Sequence, residues 1–336
     1  MDRKNVGIVG ATGYVGEELL SILDNHERAN ISFVSSHNSK GKMLYEITKE
    51  FSNIENLKLD SIENIKNYDL DIVFFATKHN FSMNHVPFLL EKGIKVIDLS
   101  ADFRFNDPNI WENAYGEKHK APELLKKSIY GLPEFNAEKI KDSDLIAVPG
   151  CYPTASLLGI LPLIDHIKPE SKIILDVKSG ISGAGRNAVE NSLENDLQNN
   201  FKAYSPEFHR HQPEIKNFLS SKKGTVNEII FIPHLLPIFR GEYITAYLEL
   251  KDMHEDLNKL FENHYNSNKF VRILNKGTIP DLSKVQNTNF CDIGIFKNQG
   301  CAVIHLAIDN LVKGAAGQAI QCFNLMIGEK EEYILE

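Results

Sequence analysis

The residues best placed to do chemistry lie in Val148-Pro149-Gly150-Cys151-Tyr152-Pro153-Thr154-Ala155-Ser156. The apolar run from Leu145 to Val148 reads as a strand that stops at a Pro-Gly turn. A cysteine follows at once, and then an apolar segment with helical spacing. Pro153 suits a first helical turn, where its missing N–H is not needed. Cys151 is therefore expected just before a helix N-terminus, where unpaired amides and the helix dipole favour negative charge. Such surroundings lower a thiol pKa and make a nucleophile. The bland alternative is an inert buried cysteine.

A cysteine nucleophile needs a group that holds or moves its proton. The candidates sit together in His209-Arg210-His211-Gln212-Pro213-Glu214. If that stretch is extended, His209 and His211 face one side. His-x-His is also a fragment of metal sites, but no third or fourth ligand follows at suggestive spacing, and no metal is expected. Ser179-Gly180-Ile181-Ser182-Gly183-Ala184-Gly185-Arg186 is a glycine-rich loop after a strand. Its backbone at Ser182 and Gly183 could approach a flat ring such as nicotinamide, and Arg186 could hold an anion. Arg104 and Arg240 lie near strand ends and turns, where parallel sheets place their sites. A planar guanidinium suits phosphate or carboxylate, although a surface or salt-bridged role is the default for the residue type.

These groups must be positioned by a scaffold, and its pattern is legible. Strand-like runs at Asn5–Gly10, Ile31–Val34, Asp71–Ala76 and Ile94–Leu99 alternate with helical runs at Tyr14–His26 and Phe81–Glu91. Alternation of this kind predicts an α/β fold with a doubly wound parallel sheet. After Cys151 the strands Ile173–Val177, Glu228–Ile232, Tyr243–Leu250, Val271–Leu274 and Ala302–Ile308 follow with few helices between them. They predict an α+β domain with a largely antiparallel sheet. His254–Tyr265 reads as a helix, and so does Gly314–Ile327 near the C-terminus. The acidic tail Glu329–Glu336 is expected to be solvated. The domains expected are 1–150, with a helix at 314–328 packing back on it, and 151–313.

The first strand runs into Gly10-Ala11-Thr12-Gly13-Tyr14-Val15-Gly16. Glycines in a strand–turn–helix context bring backbone close to a phosphate at a helix N-terminus. An NAD site usually has Asp or Glu about 20 residues on, to hold the ribose hydroxyl. Here Ser35-Ser36-His37-Asn38-Ser39-Lys40 stands instead. Ser35, Ser36 and Lys40 could bind a 2′-phosphate, so NADP is the expected cofactor.

Composition excludes several classes. The chain has 336 residues, 42% hydrophobic and 24% charged, with a formal net charge of −8. That is a globular protein with room for two domains, and nucleic-acid binding is not expected. Met1-Asp2-Arg3-Lys4-Asn5 runs straight into a strand with no apolar leader, and no segment is long enough to span a membrane. The four cysteines form no CxxC pair, and reduced thiols in a cytoplasmic protein are expected. Cys301 and Cys322 read as core, and Cys291 has no assigned role.

Five blocks in order give the chain a resemblance to the N-acetyl-gamma-glutamyl-phosphate reductase family: GCYPT at 150–154, SGISGAGR at 179–186, HRHQPEI at 209–215, PHLLPIFRG at 233–241 and DNLVKGAAGQAIQ at 309–321. The likeness runs from the Gly10 loop to the last helix. It implies NADPH-dependent reduction of the acyl phosphate of N-acetylglutamate to the semialdehyde, with release of phosphate, in arginine biosynthesis. It implies a small-molecule acyl phosphate substrate and a homodimer or homotetramer, with 1–150 binding NADP and 151–313 carrying catalysis and dimerisation. By the match Cys151 is the nucleophile and His209 the acid/base, with His211 as the other choice. Asn310 falls in the block that approaches the nicotinamide, and Arg104 and Arg240 lie near substrate phosphate or carboxylate. The sequence departs from the family at Thr77-Lys78-His79, at Ser205-Pro206-Glu207-Phe208, and at Glu242-Tyr243, where a small apolar residue is more usual. Aspartate-semialdehyde dehydrogenase and a carrier-linked lysine-pathway reductase are the enzymatic rivals. A nucleotide sensor without catalysis is the non-enzymatic one.

Overall fold

Short runs rich in β-branched and aromatic residues form the first sheet: β1 Lys4–Val9, β2 Ala29–Ser35, β3 Ile72–Phe75, β4 Lys95–Asp98, β5 Ile129–Tyr130 and β6 Leu145–Ala147. Their order is β2-β1-β3-β4-β6-β5, and every pairing is parallel. A parallel sheet is covered on both faces, which is why its strands read as unbroken apolar runs. Side chains alternate between faces along a strand. Ile8, Phe74, Ile97 and Ile146 enter one core cluster, while Val9, Val73, Phe75, Val96 and Leu145 enter another. This computed structural model describes residues 3–47, 51, 53–189, 199–224, 227–252 and 256–335.

Helices α1 Tyr14–Asp24, α2 Val86–Glu91, α3 Pro108–Tyr115 and α4 Pro133–Lys141 accompany the sheet. The C-terminal helix, Gly317–Met326, adds Ile320, Phe323 and Leu325 to the cluster that holds Ile8 and Leu19. Two compact units result, one of residues 1–149 with 315–336 and the other of residues 150–314.

In the second unit α5 Cys151–Ile160 packs on a sheet and on α6 His211–Lys223, and α7 Leu257–His264 lies further along the chain. The sheet comprises β7 Ile173–Ser179, β8 Lys202–Ala203, β9 Ile229–Leu235, β10 Glu242–Glu249, β11 Val271–Ile273, β12 Cys291–Asn298 and β13 Cys301–Ile308. Its order is β11-β12-β13-β10-β7-β9-β8. The β11–β12 and β7–β9 pairs are parallel, and the other four are antiparallel.

Several expectations need correction. The helix expected over Phe81–Glu91 is a short 3₁₀ turn, Ser82–Asn84, followed by α2 with Pro87 in its first turn. The helix expected from His254 begins at Leu257, and residues 253–255 lie outside those described. Cys301 is only partly buried, because it opens β13 at a hairpin. The acidic tail is not simply solvated. Tyr333 meets the buried His26 ring edge-on at 5.0 Å, and the Asn324 amide donates to the Glu331 and Tyr333 carbonyls. Among the described residues no helix is long and apolar enough to cross a membrane.

Candidate active site

Two glycines make the first loop possible. Gly10 has φ +87°, and a Cβ on it would lie 2.3 Å from the Ala76 carbonyl oxygen. A Cβ on Gly16 would lie 2.2 Å from the Gly10 oxygen and 2.8 Å from Ala11 Cα. The Ser35 carbonyl accepts from the N–H groups of Gly10 (3.1 Å) and Ala11 (2.9 Å), and the Thr12 and Ser36 hydroxyls meet at 2.7 Å. Gly13 caps α1 without a side-chain acceptor, so the helix opens on backbone amides suited to an anion. Ser35 and Ser36 are buried and Lys40 is exposed. Tyr14 opens the helix, while Val15 is packed against the core, leaving its backbone for a ligand. The glycine cradle and hydroxyl pair fit a dinucleotide. The fold also brings in a carboxylate that the 35–40 segment lacks: Asp60 bridges Ser35 in parallel, but its oxygens are taken by Ser61 N, Asn64 and Tyr68. Gly16→Ala is expected to weaken dinucleotide binding about tenfold or more, since backbone atoms must shift to admit the methyl. Calorimetric titration checks this, and unchanged affinity would sink the cradle argument.

Arg104 lies in the same unit. Its guanidinium donates to the carbonyls of Val148 (2.7 Å) and Leu99 (2.8 Å), behind two strand ends.

In the second unit Cys151 is the first residue of α5. Gly150 caps the helix without a side-chain hydrogen bond, and the Gly150 carbonyl accepts from Thr154 N (2.9 Å) and Oγ1 (3.0 Å). The fully buried Glu214 of α6 accepts the Gly150 N–H at 3.0 Å. A Cβ on Gly314 would lie 2.7 Å from Cys151 Cβ, so that glycine gives the cysteine its room. Cys151 itself is half-buried.

Tyr152, beside it, is the hub of an aromatic cluster. His209, His211 and Phe231 meet its ring edge-on at 5.7, 5.8 and 5.5 Å, and the Tyr152 and Tyr204 hydroxyls are 3.2 Å apart. The stretch is not extended but a turn into a helix: His211 opens α6, and its N–H donates to His209 Nδ1 at 3.2 Å. In a neutral ring that bond leaves the proton on Nε2. Burial, aided by Arg210, pushes His209 down to about 4. Burial raises both phenols well above their ordinary value.

The third group lies at the end of β10. Asn310 accepts from Gly241 N–H (2.7 Å) and donates to Ser182 Oγ (2.9 Å), joining the glycine-rich loop to the turn before β10. A Cβ on Gly183 would be 3.7 Å from the same amide nitrogen. Arg240 pairs with Asp309 at 3.3 Å and donates to Asn287 at 2.7 Å, so the structure uses it to fasten this turn. Arg186 is half-buried and follows Gly185, whose φ is +82°. Among the described residues no three His, Cys, Asp or Glu side chains could hold a metal ion.

The comparisons give this arrangement a family. A model described as semialdehyde dehydrogenase, NAD binding domain, matches residues 5–143, and one described as semialdehyde dehydrogenase, dimerisation domain, matches 151–310. The N-acetyl-gamma-glutamyl-phosphate reductase of Nitrosomonas eutropha is 45% identical over 98% of this chain and 96% of its own length. That of Methanocaldococcus jannaschii is 44% identical over 98% of this chain and 97% of its own. The chain belongs to the N-acetyl-gamma-glutamyl-phosphate reductase family. Solved aspartate semialdehyde dehydrogenases share the reductase fold: the Vibrio cholerae II enzyme has a TM-score of 0.74 at 18% identity, covering 97% of this chain and 99% of its own. The Candida albicans enzyme, solved with NADP, gives 0.72 at 14%, again over 97% and 99%. Reductase residues that the sequence reading missed are Glu214, Tyr204, Gly314 and Glu242. Glu214 and Gly314 stood inside quoted blocks, Glu242 stood out only as a departure from the family, and Tyr204 gave no local signal.

Proposed function

We propose that this oxidoreductase reduces the acyl phosphate of N-acetylglutamate to the semialdehyde, with Cys151 as nucleophile and NADP as cofactor. The observation that carries it is a half-buried thiol on the first residue of an uncapped helix, its preceding amide fixed by a buried carboxylate. The names of relatives at 44–45% identity support the substrate.

The Cys151 sulfur attacks the acyl carbon, the C–O bond to phosphate breaks, and a thioester remains. The amides of Cys151 and Tyr152 are the donors for the acyl oxygen, because Pro153 has none and Thr154 N is already bonded to Gly150. His209, neutral in the free protein, presents its Nε2 proton as charge grows on that oxygen; His211 orients it through Nδ1. When bound, the nicotinamide supplies the hydride that reduces the thioester. The sulfur then leaves and the aldehyde is freed. Gly10, Thr12, Gly13, Tyr14, Val15, Gly16, Ser35, Ser36 and Lys40 would hold the dinucleotide, with Ser182, Gly183 and Asn310 at its nicotinamide end. Arg186 is the cation proposed for a substrate anion, whereas Arg104 and Arg240, expected in that role, are engaged by backbone carbonyls and by Asp309 and Asn287. The match of 151–310 to a dimerisation domain supports a homodimer or homotetramer, and a biosynthetic role supports a cytoplasmic location.

The test is phosphate-dependent reduction of NADP, compared with NAD, with N-acetylglutamate semialdehyde and with aspartate semialdehyde. Turnover with the first substrate and NADP supports the reading. Turnover only with aspartate semialdehyde overturns it.

A further inference from the structure

The chemistry above leaves one buried acid at the nucleophile without a part. Glu242 opens the central strand β10, between Ser179 of β7 and Ile308 of β13, and α5 packs on that strand. Its side chain has no access to solvent, and among the described residues no N–H or O–H group donates to either carboxylate oxygen. The group it faces is the Cys151 thiol. Its charge is also felt by the phenols of Tyr152 and Tyr204, the other titratable groups of α5 and of the segment before α6 that it acts on. Buried polar groups are ordinarily hydrogen-bonded, and those that are not call for an explanation. A carboxyl in water-free surroundings beside a thiol is suited to exchanging a proton with it.

We propose that Glu242 is a further catalytic residue, which takes the proton of Cys151 Sγ as the sulfur attacks and returns it as the sulfur leaves. The inference rests on Cys151 being the nucleophile. In the acylation step the S–H bond breaks, an O–H bond forms on Glu242, and sulfur bonds to the acyl carbon. Phosphate leaves with the C–O electron pair and takes its proton from solvent, the one proton the overall reduction consumes. After reduction the oxygen's electron pair re-forms C=O, the C–S bond breaks, and sulfur takes that pair together with the proton of Glu242. Burial holds this carboxyl up at about 8, so it is ionised only as the pH passes that value.

The experiment follows kcat and KM from pH 6 to 10 in the phosphate-dependent oxidation of the semialdehyde, for the wild type, Glu242→Gln, Glu242→Asp and Cys151→Ser. Thermal unfolding controls for the fold. The inference expects Glu242→Gln to lose kcat by about 100-fold with KM within a few-fold, since positioned proton transfer contributes on that scale. The rising limb near pH 8 disappears with it. Glu242→Asp recovers part of the rate and keeps a limb at a different pH. A Glu242→Gln enzyme with wild-type kcat and an unchanged limb overturns the inference alone, provided Cys151→Ser is inactive. Wild-type turnover by Cys151→Ser overturns the reading beneath it as well. If the glutamine variant does not fold, the aspartate variant decides: a displaced limb supports the role and an unmoved one overturns it.

Discussion

Cys151→Ser is expected to abolish turnover while leaving the protein folded. A serine hydroxyl is nearly isosteric with the thiol, so the space that Gly314 leaves and the Glu214–Gly150 bond are kept. What is lost is nucleophilicity: a thiol gives up its proton far more readily than an alcohol, and a lone serine has no comparable activation. The loss in kcat is expected to be on the order of 10⁴-fold or more, the scale seen when a covalent nucleophile is removed. Tm and dinucleotide affinity should stay near wild type. Intact-mass measurement gives a second check, because substrate should leave an acyl adduct on the wild type and none on the variant. A serine variant that turns over within tenfold of the wild type would end the covalent route.

The second large effect is expected at His209. Its ring lies against Phe231 at 5.1 Å and edge-on to Tyr152, and burial holds its pKa at about 4. His209→Gln is expected to cost roughly 10²-fold or more in kcat, the range for a lost acid–base group. The same side chain predicts a pH dependence of stability. In the native state it stays neutral down to about pH 4, whereas the unfolded chain takes up a proton near 6.5. Between those values the unfolded state binds more protons, so the wild type loses stability as the pH falls through that window. Below about 4 both states are protonated and the loss levels off. His209→Gln removes this penalty, so its Tm relative to wild type should be higher at pH 5 than at pH 8. A Tm difference independent of pH would mean that the ring is not held neutral. His211→Gln separates the two histidines: it should lower kcat less, since its backbone N–H makes the bond to Nδ1.

Much of this was readable in the residue order. β1, β3 and β4 are buried on both faces, and their unbroken apolar runs announced a parallel sheet. The Pro-Gly-Cys order puts Cys151 at a helix start because proline restricts the backbone locally. Other features were hidden for equally physical reasons. β12, Cys291–Asn298, carries Asp292 and Lys297, which interrupt its apolar run, even though the hairpin turn at Gln299-Gly300 follows it directly. α6 begins at His211 with a proline two residues in, a pattern that in sequence does not separate a helix start from an extended stretch. Glu242 looks like a polar strand end in sequence. Only the topology shows that the strand it opens is central, with partners on both sides. Asp60 likewise reaches Ser35 only through a long-range bridge.

The placement of Gly317–Met326 has a consequence for synthesis. One face of the first sheet is completed by residues encoded far downstream, with Ile320 and Phe323 in the same cluster as Ile8 and Leu19. On the ribosome a contiguous unit folds as it emerges, N-terminal part first. Here the order is inverted. Residues 150–314 are contiguous and can close their own sheet, while residues 1–149 wait with an apolar face uncovered until 317–326 have left the exit tunnel. The part of the protein made first is thus finished last, and in the interval it is the half that a chaperone would have to shield.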